Sequence, residues 1–160
     1  MKIPAHVQKG LGLAAAVLAV DQVTKWWIVF IVMQPPRVIE VTPFFNLVMG
    51  WNRGVSFGML DSASMLSQWL LPLVTLAITG GLLVWLTLEA RRWTVIGLGL
   101  IIGGANGNLI DRLRFGAVAD FLDFHAFGFH WPAFNAADSA ITVGAIVVIL
   151  QSLFVGDEKP

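Results

Sequence analysis

Two polar stretches interrupt an otherwise apolar chain: GGANGNLIDRLRFGAVAD, ending at Asp120, and FNAAD, ending at Asp138. A pair of carboxyls brought to one place can divide the labour of hydrolysis. One takes a proton from water while the other donates to the carbonyl oxygen of the bond being cut, without a covalent intermediate. Asp138 suits the ionised member, because a carboxylate at a helix N-terminus is stabilised in its charged form. Its partner then keeps the proton, since two carboxylates sharing one site do not both ionise cheaply. Asp138 also has a purely structural reading, as the third-position carboxylate of a capping box with Asn135 as N-cap. The two readings are compatible. Asp120 follows a glycine turn, RFGAV, and sits in an apolar VADFLDF, where a plain loop aspartate would have polar neighbours. Asp123 is its nearest competitor.

The elements that must position these residues are membrane spans. Of 160 residues, 57% are hydrophobic and 12% charged, and the apolar residues come in long blocks. That is the composition of an integral membrane protein with little outside the bilayer. A net charge of zero gives no electrostatic footprint for nucleic acid. Without cysteine there is no thiol nucleophile, disulfide or thiolate metal site. Segments 11–33, 68–88, 93–113 and 136–155 reach spanning length, and each must be helical to pair its backbone in lipid. Outer loops cover 34–67 and 114–135, and the whole reads as a single membrane domain, 1–160. Lys2 and Lys9 before a small-residue run imitate a signal peptide, but the run continues long enough to be a retained first span. RVIEVTPFFNLVMGW alternates weakly, suggesting short strands in the first loop.

Even-numbered spans place both termini on one side. Lys2, Lys9, Arg91, Arg92 and Lys159 then face Lys25, Arg37, Arg53, Arg112 and Arg114. Because Lys25 and Arg112 lie in or at the ends of spans, the loop doublet and the two N-terminal lysines favour cytoplasmic termini. The acidic clusters then face outward. Helices three and four, being antiparallel neighbours, would bring Asp120 and Asp138 together at the outer interface.

Other polar residues have two readings each. Asp21 and Lys25, one helical turn apart, form either an intramembrane ion pair whose lysine snorkels outward beside Trp26 and Trp27, or a site element that places a headgroup or donor. Gly99, Gly103 and Gly107 make a close-packing face. Asn108, Asp111 and Arg112 follow, and Asp111 with Arg112 or Arg114 would make an orienting network. In WNRGVSFGM, Asn52 and Arg53 belong either to a solvated turn or to a flap over a substrate. Two other catalytic sets are thinner. Nothing in the local order places Ser56 with Lys25 as a serine–lysine dyad. Nor is the HAFGFH spacing of His125 and His130 a usual helical ligand spacing, so zinc with Asp120 or Asp123 gives way to interfacial anchoring.

The motifs DQVTK at 21–25, WNRGVSFG at 51–58, GGANGNLIDRLRFGAVADF at 103–121 and PAFNAADSAITVG at 132–144 resemble those of the lipoprotein signal peptidases, the type II family of bacterial inner membranes. They cover nearly the whole chain. The resemblance implies an all-α membrane protein of four transmembrane helices, with a small extracytoplasmic sheet around residues 35–51 and a short interfacial helix near Asp61–Gln68. It implies Asp120 and Asp138 as catalytic dyad, choosing Asp120 over Asp123. Supporting or substrate-positioning roles fall to Asp21, Lys25, Asn52, Asn108, Asp111, Arg112 and Asn135. The substrates would be prolipoproteins with a diacylglyceryl-modified cysteine, cut just before that cysteine, with no metal or other cofactor. Membrane phospholipid, globomycin-like cyclic peptide inhibitors and a monomeric state also belong to this expectation. Arg53, Val55 and Ser56 depart from the family's usual small or polar residue and alanines, which concerns the flap and not the dyad. Two other classes compete. A small transporter needs polar residues spread through several spans, whereas span two is essentially apolar. A structural membrane protein would use its carboxylates only to cap and pair.

Overall fold

A computed structural model of the chain describes residues 3–54 and 65–154. Helix α1 (Ala5–Trp27) begins after Pro4, whose φ of −56° leads into the first turn, and continues as a π-helical turn, Ile28–Val32. Strands β1 (Ile39–Thr42) and β2 (Phe45–Asn52) follow, then α2 (Met65–Leu88) and α3 (Arg92–Phe115). The chain ends in β3 (Val118–Ala126), β4 (Phe129–His130) and α4 (Ala136–Phe154). Among the described residues four helices are long and apolar enough to cross a membrane: Ala5–Val32, Trp69–Leu88, Arg92–Phe115 and Ala136–Phe154. The first therefore starts six residues before the expected 11–33 span, because Ala5 to Gly10 continue the same turns unbroken. Helix α2 starts three residues before the expected position, which puts Pro72 inside the helix and not at its start.

Helix α3 is the central element. Of its most apolar window 61% is buried, against 17–22% for the other three. Glycine makes this possible, because the backbones approach too closely for side chains. A Cβ on Gly103 would stand 2.6 Å from the carbonyl oxygen of Ala14 on α1, and one on Gly97 would stand 2.8 Å from that of Gly144 on α4. The outer faces of the other helices are apolar and exposed, as with Leu73, Leu76 and Leu88 on α2 or Ile149 and Leu153 on α4. Exposure of that kind fits lipid and not water.

Helix α3 stops at Gly116, whose φ of 68° is the left-handed C-cap conformation that favours glycine, and its N–H closes on the Arg112 carbonyl at 3.0 Å. Arg112 and Arg114 lie in that last turn, where cations favour the helix C-terminus. The chain then turns directly into β3. The sheet is antiparallel with order β1-β2-β3-β4, so it joins both loops into one structure. Residues 114–135, expected as a loop, supply an inner strand. VADFLDF hides this because its first four residues are all buried, Asp120 included, so polar and apolar positions do not alternate. The sheet seats on the end of α1 through Ile28, Met33 and Phe121, all nearly inaccessible, with Ile39, Leu47 and Met49 packed around them. Burial of side chains this size contributes about 1.5–3 kcal/mol each. Most of the expected interfacial helix near Asp61 lies outside the described residues, and Met65–Gln68 belong to α2.

Candidate active site

The site begins with Lys25. Its side chain is 4% exposed, so it turns into the bundle and does not snorkel outward. Its Nζ lies 2.9 Å from Asp21 Oδ2, 2.9 Å from Asp111 Oδ2 and 2.8 Å from Asn108 Oδ1. An ammonium has three protons and no lone pair, so each of the three acceptors can take one. Asp21 is completely buried, and its other oxygen accepts the Ala137 N–H at 2.9 Å, tying α1 to the first turn of α4. Asp111 accepts from Gln22 Nε2 at 3.1 Å and from the Ala119 N–H at 3.2 Å, which fixes the start of β3. Its partners are thus Lys25, Gln22 and a backbone amide, in place of the expected pairing with Arg112 or Arg114. Buried ions survive only when paired and fully hydrogen-bonded, and these are.

Asn108 carries the network onward. Its Oδ1 faces Lys25, so its Nδ2 donates to Asp138 Oδ1 at 2.7 Å. Asp138 and Asn135 form the reciprocal capping box. The Asp138 N–H donates to Asn135 Oδ1 at 3.0 Å, and the Asn135 N–H donates to Asp138 Oδ2 at 3.2 Å. Asn135 is fully buried, and its Nδ2 donates to Asp120 Oδ1 at 2.7 Å. Two asparagines therefore connect the carboxyls of Asp120, on β3, and Asp138, on α4.

Asp120 is 3% exposed. Burial pushes its carboxyl above the ordinary carboxylate range; the negative charge of Asp138 adds to that, while hydrogen bonds from Asn52 and Asn135 oppose it. Asn52, at the end of β2, accepts the Gly54 N–H at 2.8 Å through Oδ1, which turns its amide nitrogen toward Asp120. Arg112 contributes positive charge near Asp138, Asp120 and Asp111, and its Nε is buried without a hydrogen-bond partner. Arg53 stands on the exposed stretch after β2 and Ser56 lies outside the described residues, as does the rest of the expected flap beyond Gly54.

Asp123 belongs to a separate cluster. It accepts from Asn46 Nδ2 at 3.0 Å and holds His130 Nδ1 at 2.9 Å. His125 and His130 stack on each other with centroids 4.7 Å apart. No group of three or more His, Asp or Glu among the described residues is arranged to hold a metal ion. Gln22, which ties Asp21 to Asp111 in the site, and Asn46, which holds Asp123 in the separate cluster, received no individual role from sequence. Each is a polar residue inside an apolar helix or strand pattern, and that was the available signal.

A model of the signal peptidase (SPase) II family matches residues 13–154. The chain is 42% identical to the lipoprotein signal peptidase of Rhizorhabdus wittichii over 96% of its own length and 91% of that protein's. With the lipoprotein signal peptidase of Azoarcus sp. it shares 46% identity over 94% and 85%. A solved bacterial membrane enzyme, determined in meso at 1.9 Å, superposes with a TM-score of 0.81 at 32% identity, covering 93% of this chain and 95% of that one. With four apolar helices long enough to cross a membrane among its described residues, and matched over most of its length by these relatives, the chain belongs to the signal peptidase II family, the lipoprotein signal peptidases.

Proposed function

We propose that the protein is an aspartic endopeptidase that removes the signal peptide of diacylglyceryl-modified prolipoproteins, cutting just before the lipidated cysteine. The observation that carries this reading is the bridge of Asn135 and Asn108 between Asp120 and Asp138. It links two carboxyls of different environment that are close enough to act on each other by charge. Asp138 meets an N–H donor at each oxygen and sits in the first turn of α4, the surroundings of an ionised base. Asp120 is the acid, for burial favours its protonated form.

In this mechanism Asp138 takes a proton from the attacking water as its oxygen bonds to the scissile carbonyl carbon. Asp120 gives its proton to the carbonyl oxygen, forming a neutral tetrahedral diol. Asp120 then recovers a proton from one hydroxyl while Asp138 passes its proton to the leaving nitrogen, and the C–N bond breaks. Both carboxyls end as they began. Asn52 and Arg112 border the same space and are suited to holding the substrate backbone. The diacylglyceryl chains would lie in lipid along the exposed helix faces. With cytoplasmic termini the site opens at the extracytoplasmic side of the bacterial inner membrane, where a monomer and surrounding phospholipid suffice. Globomycin-like cyclic peptides would block the same site.

Cleavage of a diacylglyceryl-modified proprotein in detergent, comparing parent, D120N and D138N, tests the assignment. Both variants keep the shape and remove the titratable carboxyl. Loss of turnover in both folded variants is expected, and near-parental turnover in either one overturns the dyad.

A further inference from the structure

The Lys25 ammonium acts on Asp120 through its charge, but its bond toward the dyad is to Asn108, whose amide meets Asp138. An ammonium can only donate, so whatever meets it must be an acceptor. Asn108 therefore has to turn Oδ1 to Lys25, at 2.8 Å, and its NH2 to Asp138, at 2.7 Å. With the amide in that sense, Asp138 Oδ1 must be an acceptor. Its Oδ2 already accepts the Asn135 N–H at 3.2 Å. Neither oxygen is left in a setting that favours an O–H.

We infer that Lys25 is a positioning residue for the reaction, fixing through the orientation of the Asn108 amide which member of the Asp120–Asp138 pair is the base. This inference rests on the dyad assignment above and adds the reason for its asymmetry. The two carboxylates beside Lys25 hold the ammonium in place: Asp21 from its own helix and Asp111 from α3, each at 2.9 Å. All four of their oxygens face only N–H donors, from Lys25, Gln22, Ala137 and Ala119. Gln22 Nε2 binds both carboxylates, at 3.2 Å and 3.1 Å, and so keeps them fixed around the lysine. The other charged groups that act on the dyad are Arg112 of α3, near both of its carboxyls, and the two dyad members themselves, Asp120 from β3 and Asp138 from α4. Arg112 bonds the Asn108 backbone carbonyl only loosely, at 3.4 Å. Asn135 Nδ2 also donates to Asn108 Oδ1, at 3.2 Å, but the charged contact from Lys25 is the shorter one, at 2.8 Å.

A glutamine at position 25 can present either its oxygen or its NH2. Only the 3.2 Å contact from Asn135 Nδ2 then holds the sense of the Asn108 amide, which can flip and offer Oδ1 to Asp138, a contact that favours the protonated carboxyl. K25Q is therefore expected to displace the acidic limb of the kcat–pH profile upward by about one unit, a loss of about tenfold in kcat below that limb. K25R, which also only donates, keeps the limb where the parent has it. N108D retains an acceptor for Lys25 and replaces the donor to Asp138 by oxygen, so it displaces the limb in the same direction even if K25Q does not fold. The measurements are kcat across pH on a diacylglyceryl-modified proprotein, with thermal unfolding of each variant in detergent. The inference is overturned if folded K25Q or N108D keeps the parental limb, or if K25R shifts it as K25Q does. D120N and D138N, assayed alongside, separate the two claims. Their inactivity with an unmoved limb in K25Q sinks the positioning role alone, whereas their retained turnover sinks the dyad beneath it.

Discussion

Strand β3 presents two buried aspartates three residues apart, and they lead opposite lives. Asp123 stands across from Asn46 in the β2–β3 register, and that neighbour bonds its carboxylate. Burial alone would push its carboxyl up, but hydrogen bonds from His130 and Asn46 outweigh that and hold it below the ordinary range. Asp120 stands across from Gly50, which has no side chain to offer. Its partners come from elsewhere, Asn135 before α4 and Asn52 at the end of β2, and a second carboxyl lies close by. Both side chains are nearly inaccessible, but Asp120 lies deeper among protein atoms, and its carboxyl is pushed up where that of Asp123 is held down. Burial makes a carboxyl expensive to ionise, but its partners decide whether that cost is offset.

Four experiments would break or sharpen this contrast. The largest effect is expected from D120N and D138N, each losing about 10²–10⁴-fold in turnover as one partner of the acid–base pair goes. D123N in the same cleavage assay should retain parental turnover. A comparable loss there would mean that the two aspartates are not functionally distinct. Next comes G103A. The added methyl meets the Ala14 carbonyl at 2.6 Å, so α1 must move off α3, at an expected cost of about 1–3 kcal/mol in detergent unfolding. Turnover should fall with it, since Asp21 and Lys25 ride on α1.

The third effect is on pH. The Asp120 carboxyl is held above the usual range, so activity that needs its proton is present below that raised value and lost as pH rises through it. The alkaline limb of the cleavage profile should therefore remain in place in D123N. Asp123 has the opposite sign. Its contribution to stability is present above the ordinary carboxylate value and is lost as pH falls through its lowered one. The smallest effect is accordingly D123N on stability near neutral pH, about 1 kcal/mol for the missing hydrogen-bond partner. It should be read by thermal unfolding and should vanish in acid.

Much of this was legible in the chain itself. Long apolar blocks demand spanning helices, because an unpaired backbone in lipid is too costly for anything else. Glycines at Gly99, Gly103 and Gly107 announced a helix that its neighbours approach closely. FNAAD announced a capping box, and the reciprocal bonds of Asn135 and Asp138 are there. These are local rules, in which the spacing along one helix fixes the geometry. Strand β3 escaped because a strand buried on both faces has no alternation to read. The pairing of Lys25 with Asp21 was legible, but its turn into the bundle was not. A lysine near a span end has two outlets, water and a buried carboxylate, and its own helix offers only Asp21. The choice was made by Asp111 and Asn108, some eighty residues on.

By itself, then, the sequence determined what is set within one helix or turn: the spans, their glycine contact face, the cap at Asn135 and the carboxyls worth asking about. Only the tertiary structure decided which polar atoms share a proton or an ion. It brings α1, α3, β3 and the start of α4 to one point, where Asn108 and Asn135 join Lys25 to both carboxyls. The physical reason is that a buried hydrogen bond depends on the partner across the gap, and here every decisive partner sits on another element.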